Sequence, residues 1–126
     1  MEPRKLDRLK VCPFLIRCFV RFGEHTRLEL FADAEWSPFD DELHVYAWPD
    51  SSLREICEIV KDAFEDARHK NAKLSLRMIY ADQFGKMASA ELGIISTHSK
   101  AFVDQRSLSS LKFQNGDFLD IAVFVA

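Results

Sequence analysis

Three cysteines, Cys12, Cys18 and Cys57, and four histidines, His25, His44, His69 and His98, are the side chains best suited to metal or nucleophile chemistry. Their placement argues against both. Structural zinc sites pair ligands about two to four residues apart, commonly on a tight turn. Cys12 and Cys18 are separated by five residues within one apolar run, and Cys57 falls on the apolar face of a helical pattern. All three read as small core residues. A Cys–His nucleophile pair needs a partly exposed thiolate beside a base, and no spacing brings a histidine to a cysteine.

Carboxylates are numerous but scattered. Asp117 reads as a turn residue. Asp120 alternates with Leu119 and Ile121, so it is expected to point away from the core into solvent. Gly23, Gly85, Gly93 and Gly116 lie far apart, and the glycine-rich phosphate loop is absent. The expectation is a non-enzymatic chain with no catalytic residues, metal or cofactor. RNA recognition needs aromatics beside Lys or Arg on an exposed strand face. Tyr46 with Trp48, or Arg77 with Tyr80, are the candidates. Neither run carries the aromatic-Gly-aromatic signature, and no second long helix is visible. RNA affinity is expected to be weak and lost by physiological salt.

One charge feature stands out. From Glu29 to Glu42 there are six acids (Glu29, Asp33, Glu35, Asp40, Asp41 and Glu42) and no Lys or Arg, with Phe31, Trp36 and Phe39 interleaved. Two readings fit: a solvated loop whose aromatics tuck into the domain, or a docking surface for a basic peptide. In the second, carboxylates pair with Arg forks and aromatics stack on guanidinium planes.

The whole chain bounds these options. Its 126 residues carry 17 Lys and Arg against 20 Asp and Glu, a net charge of −3. That length fits one domain. With 48% hydrophobic and 29% charged residues it reads as globular. Eleven phenylalanines can fill a core or cover a partner. The longest charge-free apolar stretch, Ile121 to Ala126, is far short of the roughly 20 residues of a membrane helix. The charged start, Met1 to Lys5, shows no secretory signal. The odd cysteine count fits a reducing compartment with free thiols.

Residues 1–10 read as a flexible N-terminal segment and 11–126 as one domain. Val11 to Val20 is apolar on both faces, the pattern of a central strand. Phe22 to His25 supplies a turn, and Thr26 to Phe31 alternates, so the two runs predict a β-hairpin. Leu43 to Trp48 reads as a strand. Ser52 and Glu55 form a capping-box pair, and Leu53, Ile56, Cys57, Val60 and Phe64 recur on one helical face, predicting a helix from Leu53 to about Arg68. Leu74 to Tyr80 is a strand. Residues 82–106 read as irregular, with a possible strand from Leu92 to Ser96. Leu108 and Leu111 suit a short helical turn. Asn115-Gly116-Asp117 is a turn, and Phe118 to Val125 closes the chain as a strand. The helix face is expected to pack on Leu15, Leu28, Leu76 and Ile121. The order predicts an α+β fold, a ubiquitin-like β-grasp with a mixed sheet and one main amphipathic helix.

Several blocks also carry a family likeness: Cys12-Pro13-Phe14-Leu15-Ile16-Arg17, Leu43-His44-Val45-Tyr46-Ala47-Trp48, Asp50-Ser51-Ser52-Leu53-Arg54-Glu55, and Lys112 to Ala122 with its Phe-Gln-x-Gly-Asp-aromatic-Leu-Asp-Ile-Ala run. In this order, over roughly residues 11–125, the chain resembles the small Sin3-associated polypeptide family. The resemblance implies a nuclear, non-enzymatic adaptor of the Sin3–histone deacetylase corepressor. It also implies a splicing-linked complex with Acinus or Pinin and an RNPS-like RNA-binding protein, which joins the exon junction complex. The expected partners are proteins, with no strong direct nucleic-acid binding and no membrane.

The partner surface is expected on the outward face of the last strand. Phe118, Asp120, Ala122 and Phe124 alternate with the inward set, and outward phenylalanines are costly to leave in water. Asp120 would fix a partner's Arg or backbone amide, the acids Asp33, Glu35, Asp40 and Asp41 would steer a basic partner, and the aromatics Trp36 and Phe39 would stack on its guanidinium planes. A Phe118→Ala, Asp120→Ala double variant is expected to stay folded and lose its partner. The competing expectation is that residues 82–106 cover Phe118 and Phe124.

Overall fold

The computed structural model describes residues 10–25, 28–32, 42–69, 71–96, 106–114 and 116–125. Five strands form one mixed sheet. β1 spans Phe14–Phe22, β2 Glu42–Ala47, β3 Ala72–Ala81, β4 Met87–Ser96 and β5 Phe118–Val125, with the helix α1, Leu53–Ala63, between β2 and β3. The strand order is β2-β1-β5-β3-β4. β1 and β5 run parallel at the centre, and every other pairing is antiparallel. A parallel central pair made from the first and last strands, with one helix crossing a single face, is the ubiquitin-like α+β arrangement.

Alternation and helical periodicity meet in one core. Leu53, Ile56, Cys57 and Val60 of α1 are buried, as are Ile16, Cys18 and Val20 of β1, Leu74 and Leu76 of β3, and Leu119, Ile121 and Val123 of β5. Ile16 takes the place expected of Leu15, which lies on the opposite face at 39% exposure. Leu76 and Ile121 belong to the core as expected, and Leu28 lies outside it. Burial, and secondarily the neighbouring Cys57 thiol, push the Cys18 thiol up to about 12. Cys12, expected in the core, is exposed.

Ser52 caps α1, its hydroxyl accepting from the Glu55 amide at 3.1 Å. The helix stops five residues before the expected Arg68, because Phe64 takes an extended conformation (φ −125°, ψ 108°) and a 3-10 turn, Glu65–Arg68, follows. The Arg68 guanidinium then closes the helix end, donating to the Lys61 and Asp62 carbonyls at 2.7 and 2.9 Å. Those carbonyls otherwise lack an intrahelical partner.

Two expectations are overturned. Leu28–Ala32 is a 3-10 segment and not the second strand of a hairpin; the antiparallel partner of β1 is β2. In a 3-10 helix, residues i and i+3 share one side, so Leu28 and Phe31 can point together where strand alternation would have separated them. The irregular reading also fails for residues 87–91: β4 begins at Met87 and runs through the strand read from Leu92 to Ser96. β4 pairs with β3 from Ala81↔Met87 to Lys73↔Ser96, with a register shift at Leu76/Arg77 opposite Gly93. The sequence Met-Ala-Ser-Ala-Glu-Leu-Gly is poor in strand-forming types, and pairing with β3 overrides that preference. The closing turn before β5 forms as expected: the Gln114 and Asp117 amides bond the Asp117 carboxylate and the Gln114 carbonyl, both at 3.0 Å, around Gly116 at φ +102°.

Candidate functional site

The helix covers one face of the sheet. The other face is built by the alternate residues of every strand. Register places Glu42, Phe19, Asp120, Arg77 and Glu91 in one row across all five strands. Neighbouring rows bring Arg17 beside His44, and Arg21, Ala122, Ser75 and Ile94 together. This face is charged and aromatic where the core face is aliphatic.

Its centre is the expected outward acid, and the structure corrects that expectation. Asp120 is completely buried. Arg77 donates from Nε to Asp120 Oδ2 at 2.6 Å. His25 Nδ1 lies 2.9 Å from the same oxygen, and His25 Nε2 lies 3.0 Å from the Ser75 hydroxyl. An acceptor carboxylate calls for hydrogen on Nδ1; in the neutral ring Nε2 then accepts from Ser75. β5 is flanked on both sides, and the chain after Gly23 folds back over its second face, so no solvent reaches the carboxylate. A buried charge survives only when paired in this way.

Phenylalanines close one side of the cluster. Phe19 and Phe118 meet edge to face at 5.6 Å, Phe19 and Phe31 at 5.0 Å, and Phe31 stacks on Phe118 at 5.7 Å. Offset and T-shaped pairs at these distances are favourable. The Arg17 guanidinium lies over Phe19 and Phe118, 5.5 and 5.3 Å from their centroids, and its Nε donates to Glu42 Oε1 at 2.7 Å. His44 Nε2 is 2.8 Å from the other Glu42 oxygen. Burial pushes the Glu42 carboxyl up, but the hydrogen bonds and charges of His44 and Arg17 outweigh it and hold the group below its ordinary value.

Phe118 is half-buried, packed against Phe31 of the 3-10 segment and Phe19 of β1. Phe124 is 41% exposed, in register with Lys73. Trp36, Phe39, Asp40 and Asp41 lie outside the described residues, as do residues 97–105. Sequence reasoning missed His25, Arg77 and Ser75 as partners of Asp120. Arg77 was within reach: it sits on the polar face of a strand that also carries core residues. Among the described residues, no group of three or more His, Cys, Asp or Glu side chains could hold a metal ion, and no helix is long and apolar enough to cross a membrane.

Comparison with known proteins adds a second line of argument. Residues 5–123 match the family model of Sin3 associated polypeptide p18 (SAP18). The chain is 37% identical over 125 residues to the histone deacetylase complex subunit SAP18 of Arabidopsis thaliana, an alignment covering 98% of this chain and 82% of that protein. It is 34% identical to the human protein of the same name, over 97% of this chain and 80% of the relative. The Drosophila melanogaster protein is 31% identical, over 97% and 81%.

Proposed function

The chain belongs to the Sin3 associated polypeptide p18 family, and from that premise we propose that it is a non-enzymatic, protein-binding subunit of a nuclear histone deacetylase complex, working with the Sin3 corepressor. The observation that carries this reading is the match of nearly the whole chain to relatives named as subunits of such a complex. The same adaptor joins a splicing-linked assembly with Acinus or Pinin and an RNPS-like protein. Its work is to hold partners.

The second sheet face is the docking surface in this reading. Phe124 supplies exposed apolar area at one end of β5, and the half-buried Phe118, beside Phe19 and Phe31, adds apolar area at the other. Asp120 is occupied by Arg77 and His25 of its own chain, so it fixes the surface from beneath. The acids Asp33, Glu35, Asp40 and Asp41 steer a basic partner, which raises the association rate more than the final affinity, and Trp36 and Phe39 stack on its guanidinium groups. Neutralising Asp40 and Asp41 should slow association, and more so at low salt.

Purification of the tagged chain from nuclear extract of its own organism, with mass spectrometry, tests the assignment. Recovery of Sin3 and a histone deacetylase is the expected result. Their absence would contradict it. Recovery of both without Acinus, Pinin or an RNPS-like protein would remove the splicing-linked part alone.

A further inference from the structure

Ser75, His25 and Asp120 stand in the order hydroxyl, imidazole, carboxylate. His25 Nε2 lies 3.0 Å from Ser75 Oγ, and His25 Nδ1 lies 2.9 Å from Asp120 Oδ2. The three come from β3, from the chain after β1 and from β5. The same order of groups activates serine nucleophiles on unrelated folds, where it is recognised by geometry and roles and not by position in the sequence. Partner binding makes no use of the Ser75 hydroxyl or of the imidazole.

Each group is held for the role. Asp120 keeps hydrogen on Nδ1, which leaves the Nε2 lone pair aimed at the Ser75 hydroxyl. Arg77 bonds the same Asp120 oxygen at 2.6 Å and fixes the carboxylate in place. Asp120 is completely buried, but the His25 side chain is 24% exposed and Ser75 is half-buried. Register sets Ser75 opposite Ile94 of the edge strand β4, and Ile94 is 61% exposed. A small electrophile can reach Ser75 from that side, over apolar surface suited to an acyl group.

We propose that Ser75 is a base-activated nucleophile and a site of covalent acylation by activated esters and thioesters, with His25 as the general base and Asp120 as its positioning residue. Ser75 Oγ attacks the carbonyl carbon while its proton passes to His25 Nε2. The bond from that carbon to the leaving oxygen or sulfur then breaks, and the leaving group takes the proton from His25. Ser75 pairs with Ile94 on one side and Ala122 on the other, so its amide lies in the plane of the sheet and does not point at the developing oxyanion, the donor on which fast turnover depends. The acyl group therefore stays on Ser75. One acylation per chain leaves the subunit non-enzymatic, and the site does not depend on membership of a histone deacetylase complex.

The test treats the full chain with p-nitrophenyl acetate and follows acetylation of each serine by mass spectrometry. Ser109 and Ser110 are exposed, so access favours them and base activation favours Ser75. Ser75 should be acetylated roughly 100-fold faster than either, or more. Equal rates, or no acetyl group on Ser75, would overturn the proposal. His25→Gln can still donate to Asp120 but cannot take the proton, and should bring Ser75 down to the rate of the exposed serines; the native rate in that variant would also overturn it. The comparison among serines is made within the native chain, so it decides the matter whether or not the variant folds. Nitrogen NMR of the native His25 ring reads the part played by Asp120: hydrogen on Nδ1 alone is expected, and hydrogen on Nε2 would contradict it.

Discussion

The two faces of the one sheet follow different rules. The helix-covered face is largely aliphatic and tolerant of partner identity: hydrophobic residues of about the right volume fill it. The opposite face is held by specific pairings, Asp120 with Arg77 and His25, Glu42 with Arg17 and His44, and three interlocked phenylalanines. The lesson concerns β5. Flanked by β1 and β3, it buries residues on both sides, so alternation along it separates two interiors of unlike chemistry and not an inside from an outside.

The largest effect should come from Asp120→Ala. It leaves Arg77, only 17% exposed, beside a lost carboxylate, and removal of one partner from a buried pair costs about 3–5 kcal/mol. Chemical denaturation would measure it. The Phe118→Ala, Asp120→Ala double variant, expected from sequence to stay folded, should now be strongly destabilised. A wild-type midpoint for Asp120→Ala would make the two faces alike in tolerance and break the comparison.

Val60→Ala probes the aliphatic face. The side chain is fully buried on α1, and its truncation should cost roughly 1–3 kcal/mol. Because the loss is a cavity and not an orphaned charge, it should stay below that of Asp120→Ala.

The smallest effect should come from Glu42→Gln, at the partly exposed margin of the polar face. Such pairs are worth about 0.2–1 kcal/mol. The folded carboxyl titrates below its ordinary 4.5, so its contribution is present above that pH and is lost as pH falls through the lower folded value. Wild type and Glu42→Gln should differ in stability at neutral pH and converge in acid. A gap that widens on acidification would contradict the assigned pairing.

These contrasts explain what was legible in the sequence. The core face was readable because burial there follows period: Leu53, Ile56, Cys57 and Val60 by helical spacing, and Leu119, Ile121 and Val123 by alternation. The Ser52 cap and the Gly116 turn were readable because they are local. The polar face was not, since Asp120 meets His25 from ninety-five residues away, and nothing near either residue announces the other. The 3-10 segment carried a misleading alternation of Leu28 and Leu30 with Arg27 and Glu29. The first half of β4 was hidden by Ala88, Ser89 and Ala90, which form a strand because β3 offers a template, while Leu92 to Ser96 was legible. Of the expected docking residues, Phe124 stands exposed as read, Phe118 is half-buried, and Asp120 was assigned the right face with the wrong environment.

The central proposal is a division of labour within the polar face: its buried cluster around Asp120 helps make the fold, as the aliphatic face does, and its exposed margin at Phe124 is left to hold partners. It is tested most directly by measuring, for Phe124→Ala and Val60→Ala in parallel, the unfolding midpoint and the affinity for purified Sin3–histone deacetylase complex. The account predicts that Phe124→Ala keeps the midpoint and weakens binding by about tenfold, the loss of one mid-sized apolar contact. Val60→Ala should lower the midpoint and keep the affinity. Native affinity in Phe124→Ala, or a midpoint lowered as far as in Val60→Ala, would contradict it.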